Sequence, residues 1–252
     1  ILLHLRTLGT LDLHLSGVGS ADLLLAQPRT AALLLYLLLV QPRGFVRRDT
    51  LCALFWPESD DRHARGALSQ ALSRIRRYAG QDVFELRGKS ELRVAPGSVE
   101  CDVLAFEEAL ATRDWGRALE LYAGPFLPGF HVHNAPAFEE WLETERERLR
   151  RLAVDAARAL ALEHIAGHRL PEAVQAAARA LALAPESEAV AGELVPALAR
   201  SGARGEALHL FDSWASTMAR ELDLEPSEEL RALAHGLRTL DEGEGRPPAG
   251  ER

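Results

Sequence analysis

Apolar residues recur along this chain with two different periods, and the switches between them mark out its elements. Over residues 2–15 apolar and polar residues alternate on either side of Gly9-Thr10, the pattern of a short hairpin or of two edge strands. Residues 31–40 are apolar nearly all round; they follow Pro28, which suits a first helical turn, and stop before Gln41-Pro42-Arg43-Gly44. A central, buried helix is expected there. A second helix is signalled by Asp49 ahead of Leu51, Leu54 and Phe55, and ends where Trp56-Pro57 cannot continue it. Asp60-Asp61 match the positive N-terminal end of a third. In this third helix Ala64, Ala67, Leu68, Ala71, Leu72, Ile75 and Tyr78 fall on one side, and Arg62, Gly66, Ser69, Gln70, Ser73 and Arg77 on the other. After Gly80 the period returns to two. Val83-Phe84-Glu85-Leu86-Arg87 and Glu91-Leu92-Arg93-Val94 flank Gly88-Lys89-Ser90, a hairpin with basic residues near its tip.

From Cys101-Asp102-Val103 onward the chain reads as all-helical, rich in Ala, Leu, Glu and Arg, with Gly and Pro confined to short punctuation. Helices are expected over 103–112, 115–122, 137–166, 171–182, 187–200, 205–222 and 227–240. Glu172-Ala173-Val174 and Glu206-Ala207-Leu208 stand 34 residues apart, each after a Gly-containing turn, which is the spacing of tetratricopeptide hairpins. Trp115-Gly116-Arg117-Ala118-Leu119-Glu120 is related but off that period, so the hairpins are irregular. Residues 241–252, rich in Gly, Glu and Pro, are expected to form a disordered tail or a linker. The fold class that results is mainly α: an N-terminal winged helix-turn-helix with small β elements, then a C-terminal α-helical, tetratricopeptide-like domain. Its expected divisions are 1–98, 99–240 and the tail 241–252.

Charge changes the picture most. The 252 residues carry a net charge of -8, yet residues 1–100 hold 13 basic and 10 acidic side chains, leaving 16 basic and 27 acidic for the rest. The first part can approach a polyanion and the second repels one. Between Arg62 and Gln81 stand five arginines and one histidine with no acidic residue, so the third helix has one face for a core and one for an anion. On that face, over about 61–79, Ser69, Gln70, Ser73 and Arg77 are the candidates for reading base edges, and Arg62 and Arg74 for phosphates. Arg65 and Arg76 flank the face on one side, His63 and Arg74 on the other. Arg47 and Arg48 either hold the DNA backbone or simply start the second helix. Arg87 and Lys89 are either the wing of a DNA-binding module, over 83–94, or the polar tip that keeps a hairpin from pairing edge to edge.

Other features read more plainly. Cys52 and Cys101 are too few for a disulfide framework or a cysteine zinc site, and both are expected to be reduced and buried. No charged-then-apolar leader is present, and residues 31–40 are too short to span a bilayer, so a cytoplasmic protein is expected. His131-Val132-His133 lacks further donors at a metal-binding spacing. Gly17-Val18-Gly19 lacks the third glycine of a nucleotide fingerprint and reads as a loop. Glu139, Glu140, Glu143, Glu145 and Glu147 alternate with Arg146, Arg148, Arg150 and Arg151, the pattern of ion pairs on a wet helix surface. Trp56, Trp115, Trp141 and Trp214 lie outside basic clusters and suit packing better than base stacking. No nucleophile–base pair, phosphate loop or metal constellation is found, so neither an enzyme nor a cofactor is expected.

Ordered motifs along the chain resemble the SARP-type bacterial transcriptional regulators, which join an OmpR-like winged helix to a bacterial transcriptional activator domain. The resemblance rests on Arg47-Arg48-Asp49-Thr50-Leu51 with Leu54-Phe55-Trp56-Pro57, on Ala67-Leu68-Ser69 with Leu72-Ser73-Arg74-Ile75-Arg76-Arg77, and on Cys101-Asp102-Val103 with Phe106. Tyr122-Ala123-Gly124-Pro125-Phe126-Leu127-Pro128, Glu139-Glu140-Trp141 and Glu221-Leu222-Asp223-Leu224-Glu225-Pro226-Ser227 continue it. It implies sequence-specific binding to double-stranded promoter DNA at the bacterial nucleoid, as two copies on direct repeats, with contact to RNA polymerase holoenzyme. Unlike two-component regulators, residues 1–252 show no receiver domain or phosphoacceptor aspartate context, and no nucleotide-binding or sensor module of the larger relatives is expected within them. A reading of another class stands beside this one: a tetratricopeptide-like scaffold that binds protein, with no sequence-specific DNA binding.

Overall fold

The computed structural model describes residues 3–15 and 26–244. The Gly17-Val18-Gly19 loop and the last part of the expected tail lie outside the described residues. Packing divides the chain into two compact units: the residues up to Thr112 with Glu120–Leu149, and Arg113–Leu119 with the residues from Arg150 on.

The first unit opens with β1 (Leu3–Arg6) and β2 (Asp12–Leu15), antiparallel across the turn at Gly9-Thr10, as the alternation predicts. A third strand, β6 (Val99–Cys101), pairs parallel to β1 with Leu3 opposite Val99, a pairing too distant in sequence for any local pattern to announce. Asp102 fixes the junction. Its carboxylate accepts from the Thr7 and Leu8 amides at 2.7 and 2.8 Å and from the Thr7 hydroxyl at 2.6 Å, so donors at the end of β1 are satisfied where the strand runs out. Cys101 is buried beside it, and burial pushes its thiol up to about 12. Cys52, by contrast, is half-buried rather than enclosed, because its helix, residues 48–55, buries only the side that carries Leu51 and Phe55.

Helix α1 (Pro28–Leu39) buries nine of its residues, Leu33, Leu34, Leu35 and Leu39 among them, and stands at the centre of the unit. Helices α2 (Arg48–Phe55) and α3 (Asp61–Ala79) pack on it and on each other. A second sheet, in the order β3-β5-β4, follows: β4 (Phe84–Arg87) and β5 (Glu91–Val94) form the expected hairpin, and the short β3 (Val46–Arg47) adds to β5.

Residues 120–149 complete this unit. Phe126 bridges to Leu8, and the Leu127 amide donates to the Thr7 carbonyl at 2.8 Å. Gly9 and Gly124 meet backbone to backbone here, where a Cβ on either would come within 2.9 Å of the other segment. The opening of the long helix α6 (Pro136–Ala166) brings Phe138 and Trp141 against α1 and α2: Trp141 lies 5.0 Å from Tyr36 and Phe138 lies 5.3 Å from Phe55, ring centre to ring centre. Packing thus cuts the chain differently from the expected division at 98/99, since the aromatic core of the winged helix is closed by residues from beyond it. Helix α4 (Asp102–Ala111) follows β6 within the same unit.

The intrahelical ion pairs expected along α6 form between Glu143 and Arg146 and between Glu145 and Arg148, but the surface is not wet at Glu145. The Glu145 side chain is only 5% exposed and receives the Arg148 guanidinium, which also reaches Glu107 of α4 at 2.6 Å. Glu107 in turn pairs with Arg43 in the loop before β3. The carboxylates, Glu145 foremost, hold the Arg148 guanidinium well above its ordinary range. Arg146 donates to the Phe126 and Leu127 carbonyls instead of merely facing water.

In the second unit, α5 (Trp115–Leu121) contributes its opening residues and α6 its second half, with α7 (Leu170–Leu183), α8 (Glu188–Arg200), α9 (Arg204–Thr217) and α10 (Glu228–Glu244). From α7 to α10 each helix packs on the next and α7 also touches α9, the tetratricopeptide-like stacking that the 34-residue spacing predicts. Small residues let the helices close up: Ala173, Ala177 and Ala180 of α7 and Ala191 of α8 have no accessible surface. Trp214 is buried and donates to the Pro185 carbonyl at 2.9 Å. The helix expected over 205–222 is in fact α9 followed by a π-helical turn, Met218–Leu222, which ends at Asp223 in the left-handed conformation. Helix α10 runs to Glu244, so the expected disordered tail begins as helix. Among the described residues no helix is long and apolar enough to cross a membrane.

Candidate nucleic-acid interface

The local sequence sets the frame of α3. Asp60 caps it, accepting from the His63 amide at 2.9 Å, and this bond with the His63 ring holds the Asp60 carboxyl below its ordinary range. Ala64, Leu68, Ala71, Leu72 and Ile75 are buried, while Ala67 and Tyr78 at the margins of the apolar face are half-buried. On the opposite face Arg62, Arg65, Gly66, Ser69, Gln70, Ser73, Arg74 and Arg77 are all exposed. Burial of the apolar stripe orients the helix, so the polar face is presented as a set.

Arg62, Arg74 and Arg77 form no ion pair among the described residues, whereas Arg65 reaches Asp49 of α2 at 3.2 Å. Arg47 stands 3.8 Å from the same carboxylate. Asp49, which the sequence shows only as a helix-start signal, therefore tempers two of the expected cations. The Ser69 hydroxyl donates to the Arg65 carbonyl at 2.8 Å, which leaves its oxygen as an acceptor. Arg76 is diverted inward, with its guanidinium 5.5 Å from the Phe84 ring centre.

Wing and helix-turn-helix meet at the start of α2. The Arg48 amide donates to the Ser90 carbonyl at 2.8 Å, tying the turn of the β4–β5 hairpin to the first residue of the helix. Arg48, Arg65, Ser69 and Lys89 then line one cavity of about 360 Å³ together with Asp49, Leu68 and Ser90. Four of the expected site residues, from three separate segments, share that hollow. Gln70, Ser73, Arg74 and Arg77 lie along the exposed face of α3 outside it. At the wing, Lys89 is exposed and forms no ion pair among the described residues. Arg87 is more engaged than its place near the tip suggests: it pairs with Glu91, holding that carboxyl below its usual range, and stacks 4.7 Å from the centre of Phe45. Arg93 flanks the same ring at 4.7 Å. No periodicity marks Phe45, a lone aromatic between Gly44 and a two-residue strand, so its role in bracing the wing was illegible.

The His131-Val132-His133 segment is used locally. The His131 ring meets Glu139 at 3.0 Å, and Glu139 also accepts from the Val132 amide at 2.7 Å. Arg29 donates to the His133 carbonyl.

The family model described as "Bacterial transcriptional activator domain" matches residues 101–238. No curated protein matches the chain. Among solved structures, "Mycobacterium tuberculosis EmbR in complex with low affinity phosphopeptide" aligns with a TM-score of 0.61 and 21% identity, over 94% of this chain and 65% of that one. The likeness is one of fold, and the chain spans 65% of the EmbR chain.

Proposed function

The chain belongs to the bacterial transcriptional activator domain family, as a SARP-type transcriptional regulator, and from that premise we propose that it activates transcription by binding promoter DNA in a sequence-specific way. The family is one of transcriptional regulators and not of enzymes. The observation that carries the proposal is the exposed face of α3, where Arg62, Arg74 and Arg77 stand without ion partners among the described residues in a chain of net charge -8. Helix α3 enters the major groove. Ser69, Gln70, Ser73 and Arg77 read base edges, and Arg62, Arg65 and Arg74 meet the phosphates on either side. Arg47 and Arg48 hold the backbone at the start of α2, and Lys89, with Arg87 behind it, touches the flanking strand.

One helix and one wing give a small footprint, so two copies on direct repeats supply the affinity and discrimination a promoter needs. Residues 99–240 supply protein contacts, to the second copy and to RNA polymerase holoenzyme, and the protein works at the nucleoid in the bacterial cytoplasm. Because the acidic C-terminal part repels a polyanion, it serves protein partners better than DNA. A protein-binding scaffold is the second reading. It is favoured by the furrow between α7 and α9, of about 530 Å³ and lined by Val174, Ala178 and Leu210.

Titration of duplex DNA with the full chain across salt concentrations tests the proposal. Neutralising several phosphates makes the logarithm of the binding constant fall steeply and linearly with the logarithm of salt. Weak binding with a flat salt dependence would favour the scaffold.

A further inference from the structure

We infer, on the reading that α3 enters the major groove, that Gly66 is a specificity-determining position whose bare backbone receives the 5-methyl group of a thymine. Gly66 lies inside α3, in the row Arg62, Gly66, Gln70, Ser73 and Arg77 that runs along the exposed face. A glycine inside a helix lowers stability relative to alanine, because its backbone loses more freedom on folding.

Two intramolecular causes account for most such glycines, and neither operates here. Crowding is absent: a Cβ built on Gly66 meets nothing within 4 Å, in contrast to Gly9 and Gly124, where it would strike backbone. Conformation is also no cause, since Gly66 is not among the residues with positive φ. What the missing side chain changes is the outward surface. It leaves a notch, bounded by Arg62, Ser69 and Gln70, one turn before Gln70 and at the N-terminal end of the set proposed to read bases.

The notch has a definite chemistry. Mid-helix amide and carbonyl groups are spent on the helical ladder, so Gly66 offers Cα–H and no free donor or acceptor. Such a surface matches an apolar group. The thymine 5-methyl is the apolar group on the major-groove edges of the base pairs.

The test uses the full chain and the duplex that the wild-type protein enriches from a random-sequence library. Gly66→Ala and Gly66→Leu are compared with wild type for thermal stability and for binding. Each thymine of the duplex is then replaced, one at a time, by deoxyuridine, which lacks only the methyl. Gly66→Ala is expected to raise Tm by about 2 to 4 °C, yet to weaken binding about tenfold, and Gly66→Leu to weaken it further. Deoxyuridine at one position weakens the wild type but restores most of the affinity of Gly66→Ala, because the methyl has moved from base to protein. A purely structural glycine would give the opposite sign in stability. Equal binding by wild type and Gly66→Ala, or rescue at no position, overturns the inference while leaving the DNA-binding reading intact. A wild-type chain that enriches no sequence overturns that reading and this inference with it, and it is recognised before any variant is made.

Discussion

Arg77 and Lys89 both stand exposed without an ion partner among the described residues, yet their positions assign them different work. Arg77 is on the row proposed to read base edges, and Lys89 is on the wing. Replacing Arg77 by alanine should cost about 1 to 3 kcal/mol on the preferred site and relax the sequence preference at one base pair. Lys89→Ala should weaken all duplexes alike and make the salt slope shallower by about one. Binding isotherms on preferred and scrambled duplexes at several salt concentrations separate the two; equal losses on both duplexes for Arg77→Ala would remove it from base reading. The exposure of the expected cations was legible because the apolar residues of α3 leave only one way to bury the helix. Their pairing was not. Asp49 lies sixteen residues before Arg65 in sequence, and only the packing of α2 on α3 brings them to 3.2 Å. Arg87 and Phe45 are a similar case, brought together by the short β3 and its pairing to β5.

At the scale of elements, helices were easier to read than strands. The capping Asp60, the Pro28 start and the 3.6-residue stripe of α3 are local signals, and each lies where the element begins or turns. Strand β6 has three residues and gains its meaning from β1, nearly a hundred residues earlier, so no window of sequence contains the evidence for it. The charged opening of α6 misled for a related reason. Alternating Glu and Arg are the mark of an exposed helix, but Glu145 is buried and its partner Arg148 is shared with Glu107 of α4. Arg148→Ala leaves that carboxylate buried without its main partner and should destabilise the chain by about 3 kcal/mol. Glu147, on the same helix, offers a control: Glu147→Ala should change denaturant midpoints far less. Equal midpoints for the two variants would mean that Glu145 finds water or another partner.

For the whole molecule the organising fact is the separation of charge along the chain. An acidic protein presents its basic side chains where a sequence pattern, a cap and a hairpin converge, and the family match to a transcriptional activator domain covers the residues that follow in sequence, 101–238. What the sequence conveyed poorly was where one packed unit stops. The motif Tyr122 to Pro128 and the aromatic pair Phe138 and Trp141 belong in sequence to the helical part, yet they close the core around Tyr36 and Phe55. The central claim is that α3 reads sequence. The most direct measurement is to sequence the genomic duplexes retained by the wild-type chain and by a variant with Gln70, Ser73 and Arg77 all changed to alanine. A short repeated motif enriched by the wild type and lost in the variant is the predicted result. A motif that survives the triple change, or no motif for the wild type, would contradict it.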